Sequence, residues 1–367
     1  MIGKSSKMAS YLDTILGEIR PLDGSAIAAA QRRQNSLTKP HGSLGRLEEL
    51  SIQIAGIKGE VTPKLEYKSI IIMAADHGVT AETVSLYPQE VTRQMVLNFL
   101  KGGAAINVLA GQIGARVIVV DMGVKGGFQP LPGLLCKMID FGTKNMTQGP
   151  AMTRQQAIDT IEAGIQVVEA ELGKRLDIIG TGDMGIGNTT ASSAIFAAIS
   201  GRPAKKVTGR GTGIGDRQFT HKIKVIERAL SVNKPNPKDP IDVLAKVGGF
   251  EIGGLAGVIL AGAAYRIPVV IDGFISGAAA LIAIGLSPQA KDYLIAAHLS
   301  TEAGHELLLD FLGSKPLLNL NMRLGEGTGA VLGIFLAEAA VRTLSQMATF
   351  AEAGVSEAKP LEPHRGA

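Results

Sequence analysis

Leu176-Asp-Ile-Ile-Gly-Thr-Gly-Asp-Met-Gly-Ile-Gly-Asn-Thr-Thr190 passes from a short apolar run, through a glycine-rich turn, into the small-residue stretch Ala191-Ser-Ser-Ala-Ile-Phe-Ala-Ala198. An apolar run of this length, bounded by turn residues, reads as a strand buried on both faces. A strand that feeds a helix through glycines is the repeating unit of a parallel α/β sheet. The same signature recurs in Ser69-Ile-Ile-Ile-Met73, Arg116-Val-Ile-Val-Val120 and Ile267-Pro-Val-Val-Ile271. Tyr293-Leu-Ile-Ala-Ala297 and Leu317-Leu-Asn-Leu320 carry it more weakly. Between these runs lie helical patterns. Thr153 and Gln156 form a capping-box pair, after which Ile158, Ile161, Ile165 and Val168 recur at helical spacing. The predicted fold class is α/β, a parallel sheet with helices on both faces, binding its ligands beyond the carboxyl ends of the strands. Asp76-His77, Asp121, Asp272-Gly273 and Gly180-Thr-Gly-Asp183 all fall at such ends.

Helical segments at 46–58 and 328–347 flank the alternating region and are expected to pack as a small helical domain built from both chain ends. The expected division is 61–320 as a large α/β substrate-binding domain, 1–60 with 321–350 as the helical domain, and 351–367 as a disordered tail. Ser231–Pro240 reads as a proline-stiffened loop. The Gly/Ala-rich runs at 252–264 and 273–286 are interrupted by glycines and flanked by charges, so buried helices are expected there, not membrane spans. Residues 1–20 lack the apolar core of a signal peptide.

Hydrophobic residues make up 46% of the 367-residue chain and charged residues 19%, which excludes global disorder. Glycine is abundant, 46 residues in short clusters, as suits a backbone that approaches a ligand closely. The net charge of +4 is spread without a dense basic run, and aromatics are only 4%, so no nucleic-acid partner is expected. The single Cys136 cannot form an internal disulfide and reads as a reduced, buried thiol in a cytoplasmic protein.

Four segments carry chemistry. In Gly182–Thr190, glycines 185 and 187 keep the turn open and Asn188 is placed to cap the following helix; free N–H groups there suit a phosphate, or form an unliganded turn. Gly209-Arg-Gly-Thr-Gly-Ile-Gly-Asp216 is a second glycine-rich loop, and Lys222 after it is either a phosphate charge or a solvated lysine. Leu324-Gly-Glu-Gly-Thr-Gly-Ala330 sets Glu326 between glycines, either as a general base or as a helix N-terminal acid. His298 and His305 lie seven apart with Glu302 between them, which is not the spacing of a metal pair on one helix; Ser300 and Gly304 are expected to line a pocket instead. No metal site is expected.

Together with Lys39–Glu48, Ala74–Val79, Pro88–Thr92, Ile271–Gly277 and Ala297–His305, these motifs closely resemble the nicotinate-nucleotide:dimethylbenzimidazole phosphoribosyltransferase family, in order from about residue 39 to 345. The resemblance implies a Rossmann-like six-stranded parallel sheet, a homodimer, no cofactor, and transfer of ribose phosphate from nicotinate mononucleotide to 5,6-dimethylbenzimidazole in cobalamin nucleotide-loop assembly. It implies Glu326 as the catalytic carboxylate. Gly185, Gly187, Asn188, Thr189, Gly211, Gly213, Lys222 and Ser300 match the phosphate and ribose side, and Ser85, Gln89 and Leu324 the base pocket. Asp76, His77 and Asp183 are supporting residues, Asp183 standing where many members carry glutamate. The competing readings are a nucleotide hydrolase using the same loops and a non-catalytic nucleotide or azole sensor.

Overall fold

The computed structural model describes residues 10–357. In chain order come helices α1 (Tyr11–Glu18), α2 (Gly24–Ser36) and α3 (Arg46–Lys58), strand β1 (Lys68–Ala75), helices α4 (Glu90–Leu100) and α5 (Ala105–Gln112), and strands β2 (Arg116–Gly123) and β3 (Leu134–Cys136). There follow α6 (Arg154–Leu172), β4 (Ile178–Met184), α7 (Asn188–Ser200), α8 (Ala204–Val207), α9 (Asp216–Asn233), α10 (Pro240–Val247) and α11 (Phe250–Ala264). The series ends with β5 (Val269–Ile271), α12 (Phe274–Leu286), β6 (Leu294–Ala296), α13 (Ala303–Leu312), α14 (Thr328–Gln346) and α15 (Phe350–Ala353).

The six strands form one sheet in the order β3-β2-β1-β4-β5-β6, and every pair is parallel. Side-chain parity shows what covers each face. A Cβ on Gly254 of α11 would lie 3.2 Å from Met73, and one on Gly262 would lie 2.3 Å from Val269. On α14, Gly333 approaches Val270, and Ile334 approaches Gly180 beside Ile70. Met73 and Ile70, like Val269 and Val270, point to opposite sides of their strands, so α11 and α14 cover opposite faces.

Thr153 and Gln156 form the expected reciprocal capping box, and α6 extends to Leu172. Where α6 crosses α11, a Cβ on Gly164 would sit 1.9 Å from the Gly254 carbonyl, and one on Gly257 equally close to that of Ile161. Part of the glycine excess therefore brings helix to helix, not backbone to ligand. The two Gly/Ala-rich runs are the buried helices α11 and α12.

Several expectations are corrected. Leu317–Leu320 is not a strand and contributes only a bridge between Leu318 and His298. The extra strand is β3, three residues at the sheet edge, and there Cys136 is exposed, since no strand lies outside it. Helix α9 runs to Asn233, so the proline-stiffened connection is shorter than expected. Of the anticipated tail, Phe350–Ala353 is a capped helical turn, and residues 358–367 lie outside the described residues.

The described residues divide into two compact units: 10–21 with 65–335, and 22–64 with 336–357. The larger thus takes α1 and 321–335, both expected in the helical domain. Tyr11 explains the first, because its hydroxyl donates to Glu169 on α6 at 2.6 Å while Leu12 and Ile15 are buried. The smaller unit is helical, with a core including Ala30, Ala55 and Leu344 and a buried Lys39–Glu48 ion pair at 2.8 Å. Among the described residues, α14 is the one helix long and apolar enough to cross a membrane; Ile334, Ala337, Val341 and Leu344 on it are buried.

Candidate active site

Strand order reverses between β1 and β4: the chain leaves β1 toward β2 and β3, and leaves β4 toward β5 and β6. A crevice opens at such a point beyond the carboxyl ends of the strands. A cavity of about 540 Å³ lies there, lined by Ser85, Asp183, Gly185, Gly187, Asn188, Thr189, Gly211, His298, Ser300, Arg323 and Leu324, among others.

One end of it is built for an anion. Gly187, at φ 99°, precedes α7, and the first residues of that helix, Asn188 and Thr189, line the cavity at its positive dipole end. Lys222, from α9, is buried and donates through Nζ to Thr189 Oγ1 at 2.7 Å. Burial pulls the Lys222 pKa down to about 8, although the Glu302 charge opposes this. A Cβ on Gly211, which has φ +53°, would fall 2.8 Å from Thr189 Oγ1 and 3.2 Å from Lys222 Nζ. Ammonium, hydroxyl and an open backbone thus converge on one spot.

Behind Leu324 and Gly325 of the cavity wall lies a strained carboxylate. Glu326 has φ 64° between Gly325 at 81° and Gly327 at 93°. A left-handed conformation costs a residue with a Cβ about 1–2 kcal/mol, so neighbouring structure must impose it. It does so from two sides. A Cβ on Gly182 of β4 would lie 2.5 Å from the Glu326 carbonyl oxygen, so glycine there lets the turn rest on the strand. Asp272, just past β5, accepts N–H bonds from Gly329 (2.7 Å) and Ala330 (3.0 Å) on Oδ1 and from Gly327 (3.1 Å) on Oδ2. Burial raises the Glu326 pKa, while a hydrogen bond from the Ile106 amide in α5 lowers it in part. Its Oε2 is buried without a partner.

Residues 19–355 match the family described as phosphoribosyltransferase. The chain belongs to the nicotinate-nucleotide:dimethylbenzimidazole phosphoribosyltransferase family. It is 60% identical to the enzyme of that name from Desulforudis audaxviator over 93% of this chain and 97% of the relative. Identity to the Chloroflexus aggregans enzyme is 59%, over 95% of this chain and 99% of that one. The crystal structure of CobT from Thermus thermophilus matches with a TM-score of 0.88 at 47% identity, covering 91% of this chain and 100% of that chain.

Of the family-matched positions, the cavity collects Ser85, Asp183, Gly185, Gly187, Asn188, Thr189, Gly211, Ser300 and Leu324. Lys222 reaches it through Thr189. Gly213 lies in an adjoining hollow of about 300 Å³. Gln89 donates to the His77 carbonyl and lines a second hollow that shares Ser85 and Tyr87 with the cavity. Asn188 is not the helix cap: it opens α7 itself, and its amide donates to Asp183 at 2.9 Å. Gly304 packs on the Val207 carbonyl instead of lining the cavity. The carboxylate of Glu326 is likewise not at the cavity wall but turned to Ile106.

Asp76 and His77 stand outside the cavity in a buried network. Asp76 accepts from the Lys125 amide at 2.8 Å, and His77 Nε2 meets Glu251 at 2.6 Å. Burial pulls the His77 pKa down, but the Glu251 charge, its hydrogen bond and Asp76 together leave it raised. Asp183 is raised well above the usual carboxylate range by burial, then by Asp272 and Glu251. Among the described residues no group of three His, Cys, Asp or Glu side chains is arranged to hold a metal. Sequence reading missed Glu251, whose polar role is invisible inside an apolar helical run, and Arg323, whose place on the cavity wall depends on a hydrogen bond to the Gly211 carbonyl.

Proposed function

We propose that this chain transfers the 5-phosphoribosyl group of nicotinate mononucleotide to 5,6-dimethylbenzimidazole, giving α-ribazole 5′-phosphate and nicotinate, as the names of its relatives indicate. The observation that carries the reading is one cavity with an anion seat at Lys222, Thr189 and Gly211 and a strained, buried carboxylate beside it. Lys222 and the α7 N-terminus hold the phosphate, which fixes C1′ for attack. Ser85 and Leu324 flank the azole.

The reaction is a single in-line displacement. The unprotonated azole nitrogen forms the new bond to C1′ as the C1′–N bond to the pyridinium breaks. Its electron pair returns to the pyridine ring, which leaves neutral, and the β linkage becomes α. The proton on the other azole nitrogen passes to Glu326, whose side chain turns from the Ile106 amide to receive it. A cationic leaving group makes Lewis-acid help chemically unnecessary. The protein is a cytoplasmic homodimer in this reading.

The test is Glu326→Gln, which keeps the shape of the turn and removes the base. Turnover is expected to fall by ~10²–10⁴ with donor binding retained. Asp183, which lines the cavity with a partnerless Oδ1, is the rival base. Near-normal turnover in Glu326→Gln, with collapse in Asp183→Asn, transfers the role to Asp183.

A further inference from the structure

Asp272 lies past β5, opposite the turn that carries Glu326, and is fully buried with its two oxygens taken up by three amides of that turn. Gly329 and Ala330 belong to the first turn of α14, so Asp272 supplies from another strand the acceptor that free helix N–H groups require. The seat is closely fitted. A Cβ on Gly329 would fall 2.7 Å from Asp272 Oδ1 and 2.1 Å from the His298 ring. Gly327, the third donor, directly follows Glu326.

We propose that Asp272 is the positioning residue of Glu326: by accepting from three amides of the turn it fixes the left-handed backbone that presents this carboxylate. The proposal rests on reading Glu326 as the base. Aspartate suits the task and asparagine does not. An amide has one acceptor oxygen, and its NH2 would face the Gly327 N–H, donor against donor. Like charges in a poorly solvated site raise the proton affinity of each.

The groups facing this pair come from several elements. Asp183 on β4 is raised well above the usual carboxylate range by burial, then by Asp272 and Glu251, and Glu251 on α11 is paired with His77. His298, past β6, has Nε2 at 3.7 Å from Asp272 Oδ1, and burial holds its pKa below the ordinary value. A neutral His298 leaves the Asp272 charge uncancelled. Asp272 is itself pushed up to about 7 by burial, against the pull of the three amides and with Glu326 adding to the rise.

The experiment is steady-state kinetics of Asp272→Asn across pH, with an amide titration of the intact wild-type protein alongside. In Asp272→Asn, kcat is expected to fall about tenfold or more while KM for nicotinate mononucleotide holds within about twofold. A kcat within about twofold of wild type, or a KM that rises as kcat falls, overturns the proposal. The second arm does not require the variant to fold. In 15N spectra of wild type, the Gly327, Gly329 and Ala330 amides should titrate together, and Glu326→Gln should move that titration to lower pH. Amides that stay flat, or titrate unaltered in Glu326→Gln, overturn it equally. Absence of any product from nicotinate mononucleotide in wild type would instead sink the functional reading, and the amide titration would still decide whether Asp272 holds the turn.

Discussion

Lys222 shows how one side chain is tuned by where it sits. Its amine is buried against a hydroxyl and a glycine, with no carboxylate bonded to it, so it holds its proton less tightly than a solvated lysine. Between its folded pKa, about 8, and the ordinary 10.5, the unfolded chain binds more protons than the folded one. This group alone therefore makes stability rise with pH through that window. Donor binding has the opposite sign, because a phosphate is held by the ammonium and not by the amine. KM for nicotinate mononucleotide is expected to rise above pH ~8, while KM for dimethylbenzimidazole stays flat. Lys222→Met should raise the donor KM at neutral pH and abolish the upward bend. A donor KM that bends identically in Lys222→Met assigns the titration to another group. The sequence located this lysine after its glycine-rich loop, but its burial depends on α7 and α9 meeting, which no local pattern reveals.

At the scale of elements, β4 with its turn into α7 serves both the cavity and the turn that carries Glu326. Gly185 and Gly187 open the phosphate side, while Gly182, inside the strand, makes room for the Glu326 turn on one face of the sheet. Gly182→Ala is therefore expected to press on the Glu326 carbonyl and shift the carboxylate, lowering kcat about tenfold or more. Overpacking at a backbone contact should also cost ~1–3 kcal/mol of stability. Urea unfolding and kcat measured on the same preparation check both, and a variant with wild-type kcat refutes the link between this glycine and the base. The strand–glycine–helix unit was legible because its apolar run and small residues lie together in the chain. β3 was not legible, because three edge residues carry too little pattern to stand out.

At the scale of the molecule, the acids at the strand ends hold loops together. Asp76 accepts from the Lys125 amide, Asp121 from those of Gly123 and Val124, and Asp272 from three amides around Glu326. An oxygen engaged by N–H donors is a poor ligand for a hard cation, which would have to displace them. Activity is expected to survive dialysis against EDTA and assay in metal-free buffer. Loss of activity restored by Mg²⁺, Mn²⁺ or Zn²⁺ alone would put these aspartates back at the reacting centre. The sequence places the three acids at strand ends, but the loop that Asp272 holds is the one bearing Glu326, more than fifty residues further along the chain.

By itself the sequence determined the parallel α/β sheet, the glycine loops at its carboxyl edge and the prominence of Glu326, because each is written in neighbouring residues. Strand and helix periods, glycine clusters and capping pairs act over a few positions, and family motifs repeat them in order. Only the tertiary structure decided that Gln89 bonds the His77 carbonyl, that Asn188 turns to Asp183, and that Cys136 is exposed on an edge strand. It also decided the pairing of Asp272 with the turn at Gly327–Ala330 and of His77 with Glu251. Those contacts join residues far apart in the chain, and they form only when sheet order and helix packing bring distant backbones within hydrogen-bonding reach.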